Sequence, residues 1–237
     1  SQELEISRQM FSLYPDNPVV GIAHANSLLD SKMNNECLKI LDNVNVLPQE
    51  FANAGHGIFE KANLNIALDL MEKKKFKKAI TYVNMSREWP ENLGSGKPYE
   101  PDTRLQDYIA ANCEFQLGNR RSAEDYYQQI IDFSLKHRSD TRDPASIYIA
   151  SRVLDAQGKT EASEALLKDW EIKQDSLRDW RISGGSSSPE VKWVLAKYYK
   201  QEEKANKLEA GILARPSGGS KFDIFHRAFS LIDMKPE

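Results

Sequence analysis

Two cysteines, four histidines and no long apolar run set the first limits on this chain of 237 residues. Cys37 and Cys113 do not make a disulfide framework and read as buried thiols. The histidines, at 24, 56, 137 and 226, include no pair at i, i+3 or i+4. Zinc needs three or four converging ligands, so no metal is expected, and no other cofactor either. Gly55-His56-Gly57 is the one unusual histidine setting and reads as a helix start. No segment approaches the roughly 18 consecutive apolar residues of a bilayer span, so no membrane partner is expected. No apolar leader stands near residue 1, which tilts the expected location toward the cytoplasm.

A basic excess is missing too. Lysine and arginine total 32 against 35 aspartate and glutamate, a net charge of −3, so nucleic acid is not an expected partner. No G-x-S-x-G is present, and neither cysteine has a histidine nearby in sequence. Gly94-Ser95-Gly96-Lys97 lacks the G-x-x-x-x-G-K-[ST] spacing of a phosphate loop, and Pro98 follows the lysine. The acids Glu161, Glu164, Glu202 and Glu203 and the lysines at 73–75, 77 and 78 read as solvated faces and a wet turn. An enzyme is not expected.

What the chain does have is a period. Small residues at Cys37, Ala79, Ala123, Ser163 and Ala205 are spaced by 42, 44, 40 and 42 positions. Five residues before each stands a turn-like site: Lys32, Lys74, Gly118, Gly158 and Lys200. Four positions after the first four come Leu41, Val83, Tyr127 and Leu167. Such a period marks stacked helical hairpins, in which small residues let two antiparallel helices approach to roughly 8–10 Å. Glycine suits the left-handed position that ends a helix; lysine fills it less comfortably. No strand-like alternation of useful length occurs, so the class is all-α.

Along the chain, residues 3–14 read as an amphipathic helix through Leu4, Met10, Phe11 and Tyr14, broken by Pro15-Asp16-Asn17-Pro18. This resembles the end of a repeat, so the chain is expected to be cut from a longer protein inside an array. Hairpins follow at about 18–45, 57–89, 103–137 and 144–175, with Pro144 suited to a first helical position. Residues 90–102 form a proline- and glycine-rich loop, and Ser-Gly-Gly-Ser-Ser-Ser at 183–188 is the most flexible composition. The expected organisation is a repeat region at 1–182 and a less regular helical cap at 189–237, with apolar sets around Trp193, Leu208 and Phe222–Ile232 and a Pro-Ser-Gly-Gly break at 216–219.

The segment from Leu105 to Ile131, with Ala111, Leu117-Gly118, Ala123 and Tyr127, resembles a tetratricopeptide repeat. Ile147 to Trp170 is similar, with Ser151, Gly158, Ser163 and Leu167, and the two earlier hairpins match more loosely. Together they cover about two thirds of the chain. The resemblance implies a right-handed α-solenoid. The stretch Trp89 to Asp102 also resembles a segment of large uncharacterised bacterial proteins, which carry such repeats behind a domain suspected of handling carbohydrate.

In that family the first helices line a concave face. Aligned so, the face would carry Ile22, Asn26 and Asp30; Leu64, Leu68 and Glu72; Tyr108, Asn112 and Gln116; and Tyr148, Arg152 and Asp155. Some members grip a peptide carboxylate with lysines and asparagines there. Asn26 and Asn112 fit that pattern, but Ile22, Leu64, Tyr108 and Tyr148 replace the lysines. The expected contact residues are Asn26, Tyr108, Asn112, Tyr148 and Arg152, because rigidly held tyrosine and arginine make good contacts; the alternative is that the tyrosines pack against the neighbouring hairpin. The expected function is a non-catalytic scaffold that binds a peptide or docks a protein domain. On the first reading, alanine at Tyr108 and Arg152 would abolish binding and leave the melting temperature nearly unchanged. The alternative function is an accessory module that meets glycan through the groove or the 90–102 loop, where Trp89 and Tyr99 flank the loop. A third possibility is homodimerisation through apolar surface.

Overall fold

The computed structural model describes residues 2–48, 53–137, 143–180, 188–215 and 220–232, with side chains of the 160–180 helix described as far as residue 174. The described residues are all-helical, with twelve α-helices, one 3-10 turn and no strand. The helices are α1 (Gln2–Leu13), α2 (Pro18–Asp30), α3 (Asn34–Leu41), α4 (Ala54–Glu72), α5 (Phe76–Met85), α6 (Arg104–Gln116), α7 (Arg120–Lys136), α8 (Ala145–Ala156), α9 (Thr160–Trp180), α10 (Pro189–Tyr198), α11 (Glu202–Leu213) and α12 (Phe222–Leu231). The flexible composition at 183–187 and the break at 216–219 lie outside the described residues.

Sequential helices pair as α2–α3, α4–α5, α6–α7, α8–α9 and α10–α11, and all five pairs share one turn. Lys32, Lys74, Gly118, Gly158 and Lys200 each take positive φ, between 55° and 83°. In each turn this residue donates to the carbonyl three positions back and the next residue to the carbonyl five back. Lys32 to Leu29 with Met33 to Leu28, and Lys200 to Lys197 with Gln201 to Ala196, are the first and last instances. These two hydrogen bonds satisfy two carbonyls that the ending helix would otherwise leave open. The five small residues that follow are all buried, as are Ala25, Ala67, Ala111 and Ser151, twelve positions before the first four. In the fourth pair the two small residues touch directly, with the hydroxyls of Ser151 and Ser163 2.8 Å apart. The fifth pair, within residues expected to be less regular, keeps the turn but carries Trp193 at the earlier small position.

Helix starts follow local chemistry. Asn17 Oδ1 accepts from the amides of Val19 and Val20, with Pro18 opening α2, and Ser188 Oγ accepts from Val191 with Pro189 opening α10. Pro144 stands one residue before α8 rather than inside it. Gly55-His56-Gly57 falls in the first turn of α4, a helix start as expected.

Contacts divide the chain into two compact units, Ser1–Pro101 and Asp102–Glu237. The first unit has a core of Ala25, Leu28, Leu29, Cys37, Leu41, Ile58, Phe59, Ala62 and Leu93. Helix α1 lies against α2 but buries none of its own residues. The loop after α5 returns to the α2–α3 hairpin. Asn92 Nδ2 donates to the carbonyls of Leu41 and Val44 at 2.8 Å each, and Val46 donates back to the Asn92 carbonyl at 2.8 Å. The stretch 90–94 is therefore an ordered strap in this unit. The second unit contains α6 to α12; its N-terminal edge is held by Arg104, which forks onto both carboxylate oxygens of Asp102 at 2.6 and 2.9 Å and donates to Ser134 at 3.1 Å.

Candidate functional site

The strongest convergence of side chains in the second unit lies where α12 meets α6, α8 and α10. Each of those three helices opens a hairpin, and each contributes one ring. Tyr108 of α6, Tyr148 of α8 and Trp193 of α10 all face Phe229 of α12, with centroids 5.9, 5.5 and 5.9 Å away. The tyrosines meet Phe229 edge-on and Trp193 stacks on it, the two favourable aromatic geometries. Phe222 meets Trp193 edge-on at 5.0 Å. The guanidinium of Arg152 lies 5.2 Å from the Phe229 centroid, and its Nη2 donates to the Ile232 carbonyl at 3.1 Å.

Polar contacts pin α12 at its edges. Lys221 pairs with Asp143 at 3.0 Å, and Ser220 Oγ donates to Glu190 at 2.7 Å. Glu209 of α11 meets both Trp193 Nε1 and His226 Nε2 at 3.1 Å. Phe222, Ile224, Phe225 and Ala228 are buried. The stripe at 222, 225 and 229 follows helical spacing.

Three of the five expected contact residues, Tyr108, Tyr148 and Arg152, meet at this one place. Tyr108 has 0% exposure. A ring so covered packs as core, as the alternative reading of the tyrosines has it, and its loss is expected to cost stability. Burial pushes its phenol above the ordinary value; the Arg152 charge and a hydrogen bond from its guanidinium oppose that, and Tyr148 adds to it. Tyr148 and Arg152 are half-buried, as is Asn112 one turn after Tyr108. Asn26 lies in the first unit, half-buried, where its Nδ2 donates to Asp30 at 3.1 Å. It lines an open apolar groove of about 770 Å³ between α1 and α2, together with Ile6, Met10, Val19 and Ala23. Of the other aligned positions, Leu64 and Leu68 are fully buried, while Asp30, Glu72, Gln116 and Asp155 are exposed. The sequence-based selection omitted Trp193 and Phe229. The spacing of Phe222, Phe225 and Phe229 was the available signal, but a greasy helical stripe does not name the surface it will cover.

The remaining candidates are plainly placed. Trp89 stacks face to face on His56, with ring centroids 3.4 Å apart, whereas Tyr99 is 100% exposed. Both cysteines are buried thiols, pushed up to about 12 by burial, with Asp30 adding at Cys37 and Glu114 at Cys113. Burial opposes ionisation of Asp102, but its bonds to Arg104 and the nearby charges of Arg104 and Lys221 outweigh it and hold the carboxyl below its ordinary value. Among the described residues, no group of three or more His, Cys, Asp or Glu is placed to hold a metal, and no helix is long and apolar enough to cross a membrane.

Compared with family models, with curated proteins and with solved structures, the chain finds no match in any of the three.

Proposed function

We propose that this chain is a non-catalytic interaction scaffold built of tetratricopeptide-like hairpins, stacked with the right-handed sense that the resemblance implies. Its working surface is the face formed by α6, α8 and α10. Its partner is a peptide or a protein domain, including a domain of its own parent protein. The observation that carries this reading is the aromatic row Tyr108, Tyr148 and Trp193 with Arg152 beside it, one ring per hairpin, already gripping a helix. Rigid hairpins bearing rings and a guanidinium are suited to holding an amphipathic segment.

A photo-crosslinking residue at position 112 tests it, with one at position 132 on α7 as the control. Capture of a discrete protein from 112 and not from 132 supports the reading; equal labelling at both sites, or none, refutes it.

A glycan-contacting role for the 90–102 loop draws on the fully exposed ring of Tyr99, since sugars stack on such rings. Trp89 offers less, with one face against His56. A glycan array separates the two readings: retention of one glycan class, lost in Tyr99→Ala, favours the loop.

A further inference from the structure

In the first unit, α1 and α2 form a seat of a kind that other helices fill. Helix α2 lies against both α3 and α4, and α6 lies against both α7 and α8. The second helix of one hairpin and the first helix of the next thus receive the earlier first helix between them. Where they do, the opening residues of the covered first helix are buried: Lys61 and Ala62 in α4 at 5% and 0% exposure, Ala145 and Ser146 in α8 at 2% each. The repeat spacing matches these positions to Val19 and Val20 of α2. Yet Val19 is 75% exposed and Val20 only half-buried, although both are apolar. The seat they open onto is the groove of about 770 Å³ between α1 and α2. Its walls are tied together, since Ser7 Oγ and His24 Nδ1 hydrogen-bond at 2.9 Å and Phe11 stacks on His24 with centroids 5.2 Å apart. Ile6 and Met10 of α1 line the groove, and Leu13 continues their stripe at helical spacing; all three are exposed.

We propose that this seat is the interface of a homodimer: α1 of a second copy lies in the groove, and the groove of that copy receives α1 in return. Direction favours a second copy as the occupant. The short connection at 14–17 sets α1 antiparallel to α2. A twofold axis sets the two α1 helices antiparallel to each other, so the incoming α1 runs parallel to α2. Successive first helices, such as α2 and α4, are separated by two reversals and so run parallel as well. The incoming helix therefore takes the direction that a first helix takes in the array. Small residues at the groove, Ala23 and Ser27, let it approach closely. The exchange is isologous, and it covers Ile6, Met10, Leu13 and Val19 of both copies in one four-helix bundle. Met10, in the middle of the stripe, comes nearest the axis. This surface belongs to the first unit, and the proposal does not rest on the face formed by α6, α8 and α10.

Sedimentation of the full chain from about 1 to 100 μM tests it. The mass is expected to rise with concentration from 27.0 kDa toward twice that value. Met10→Glu is expected to weaken association roughly tenfold or more, because two carboxylates then face each other across the axis. Met10→Lys is expected to do the same, and an equimolar mixture of the two variants to recover the dimer. Val19→Lys, on the other wall of the groove, is expected to weaken it as well, whereas Ile172→Glu, at an exposed site on α9, leaves it unchanged. Met10 and Val19 are exposed, so each variant is expected to keep the wild-type helix content by circular dichroism. A single-chain mass across the whole range overturns the proposal and leaves the seat to a helix of another protein. A dimer indifferent to the Met10 and Val19 changes, one weakened equally by Ile172→Glu, or a mixture that stays single-chain each overturn it too. None of these outcomes touches the crosslinking at position 112, which decides the scaffold reading separately.

Discussion

Arg152 Nη2 donates to the carbonyl oxygen of Ile232 at 3.1 Å, tying α8 to the residue that ends α12. The pair lies 80 positions apart in sequence, and with Phe229 under the same guanidinium it closes the aromatic row.

That relationship makes Arg152 a stability residue as well as a contact residue. Arg152→Ala removes a charged hydrogen bond and a cation–π contact, and is expected to lower stability by about 1–3 kcal/mol. Tyr108→Ala removes a fully buried ring and is expected to cost roughly 3–5 kcal/mol. Urea unfolding of the two variants measures both. A midpoint at the wild-type value for Tyr108→Ala would mean that α12 does not cover it.

The five shared turns predict substitutions of opposite sign. A non-glycine residue in the left-handed region is strained by about 1 kcal/mol or more. Lys74 sits there with φ of 55°, so Lys74→Gly is expected to stabilise by about 0.5 kcal/mol, after allowing for the freer unfolded chain. Gly118→Ala is expected to destabilise by about 1 kcal/mol. An added methyl would meet nothing within 4 Å there, so the whole effect is backbone strain. Thermal melts of the two variants should move in opposite directions.

The strap at 90–94 depends on one amide. Asn92→Ala removes both bonds to the carbonyls of Leu41 and Val44 and is expected to cost about 2 kcal/mol. Gly94→Ala should be at least as damaging. Its φ is +72°, and the new carbon would lie 2.8 Å from the Val46 carbonyl oxygen. Hydrogen exchange at Val46, whose amide bonds to the Asn92 carbonyl, reads the loss directly.

The thiols fix a pH prediction. With Cys37 and Cys113 pushed up to about 12, the thiolate fraction at pH 8 is on the order of one part in ten thousand, so neither should react with a disulfide reagent until the chain unfolds. A raised folded value means that the folded state holds its protons longer than the unfolded one. The stabilisation is therefore complete below pH 9, the ordinary thiol value, and is lost as pH rises toward 12. Tyr127, also pushed up to about 12 by burial, with Tyr108 and Glu124 adding, acts in the same direction above pH 10. At the acid end Asp102 works oppositely: its lowered value stabilises the fold above the ordinary carboxylate range, and that stability is lost as pH falls through the folded value. Stability curves from pH 3 to 11 should fall at both ends. A flat alkaline limb together with fast thiol labelling of the native chain would show that the cysteines are exposed.

The hairpins were legible because their signals are local. The left-handed residue at 32, 74, 118, 158 and 200 and the small residue five positions later act within one helix–turn–helix, through bonds spanning three to five residues. Even the lysines in those turns did not hide the pattern. The candidate site was legible by half. Tyr108, Tyr148 and Arg152 stood out as contact residues, but the helix that meets them did not, nor did Trp193 in the row. The strap was hidden as well, since Asn92 reaches carbonyls 48 and 51 positions away.

The amino-acid order alone settled which segments coil, where each hairpin turns and which side chains are too small to keep paired helices apart. All of that follows from hydrogen bonds and steric limits among near neighbours. Only the tertiary structure decided that Phe229 of α12 meets the row of Tyr108, Tyr148 and Trp193, and that Tyr108, an expected contact residue, is core. An apolar helical face lowers its free energy against any fitting apolar surface, and only three-dimensional packing selects among them.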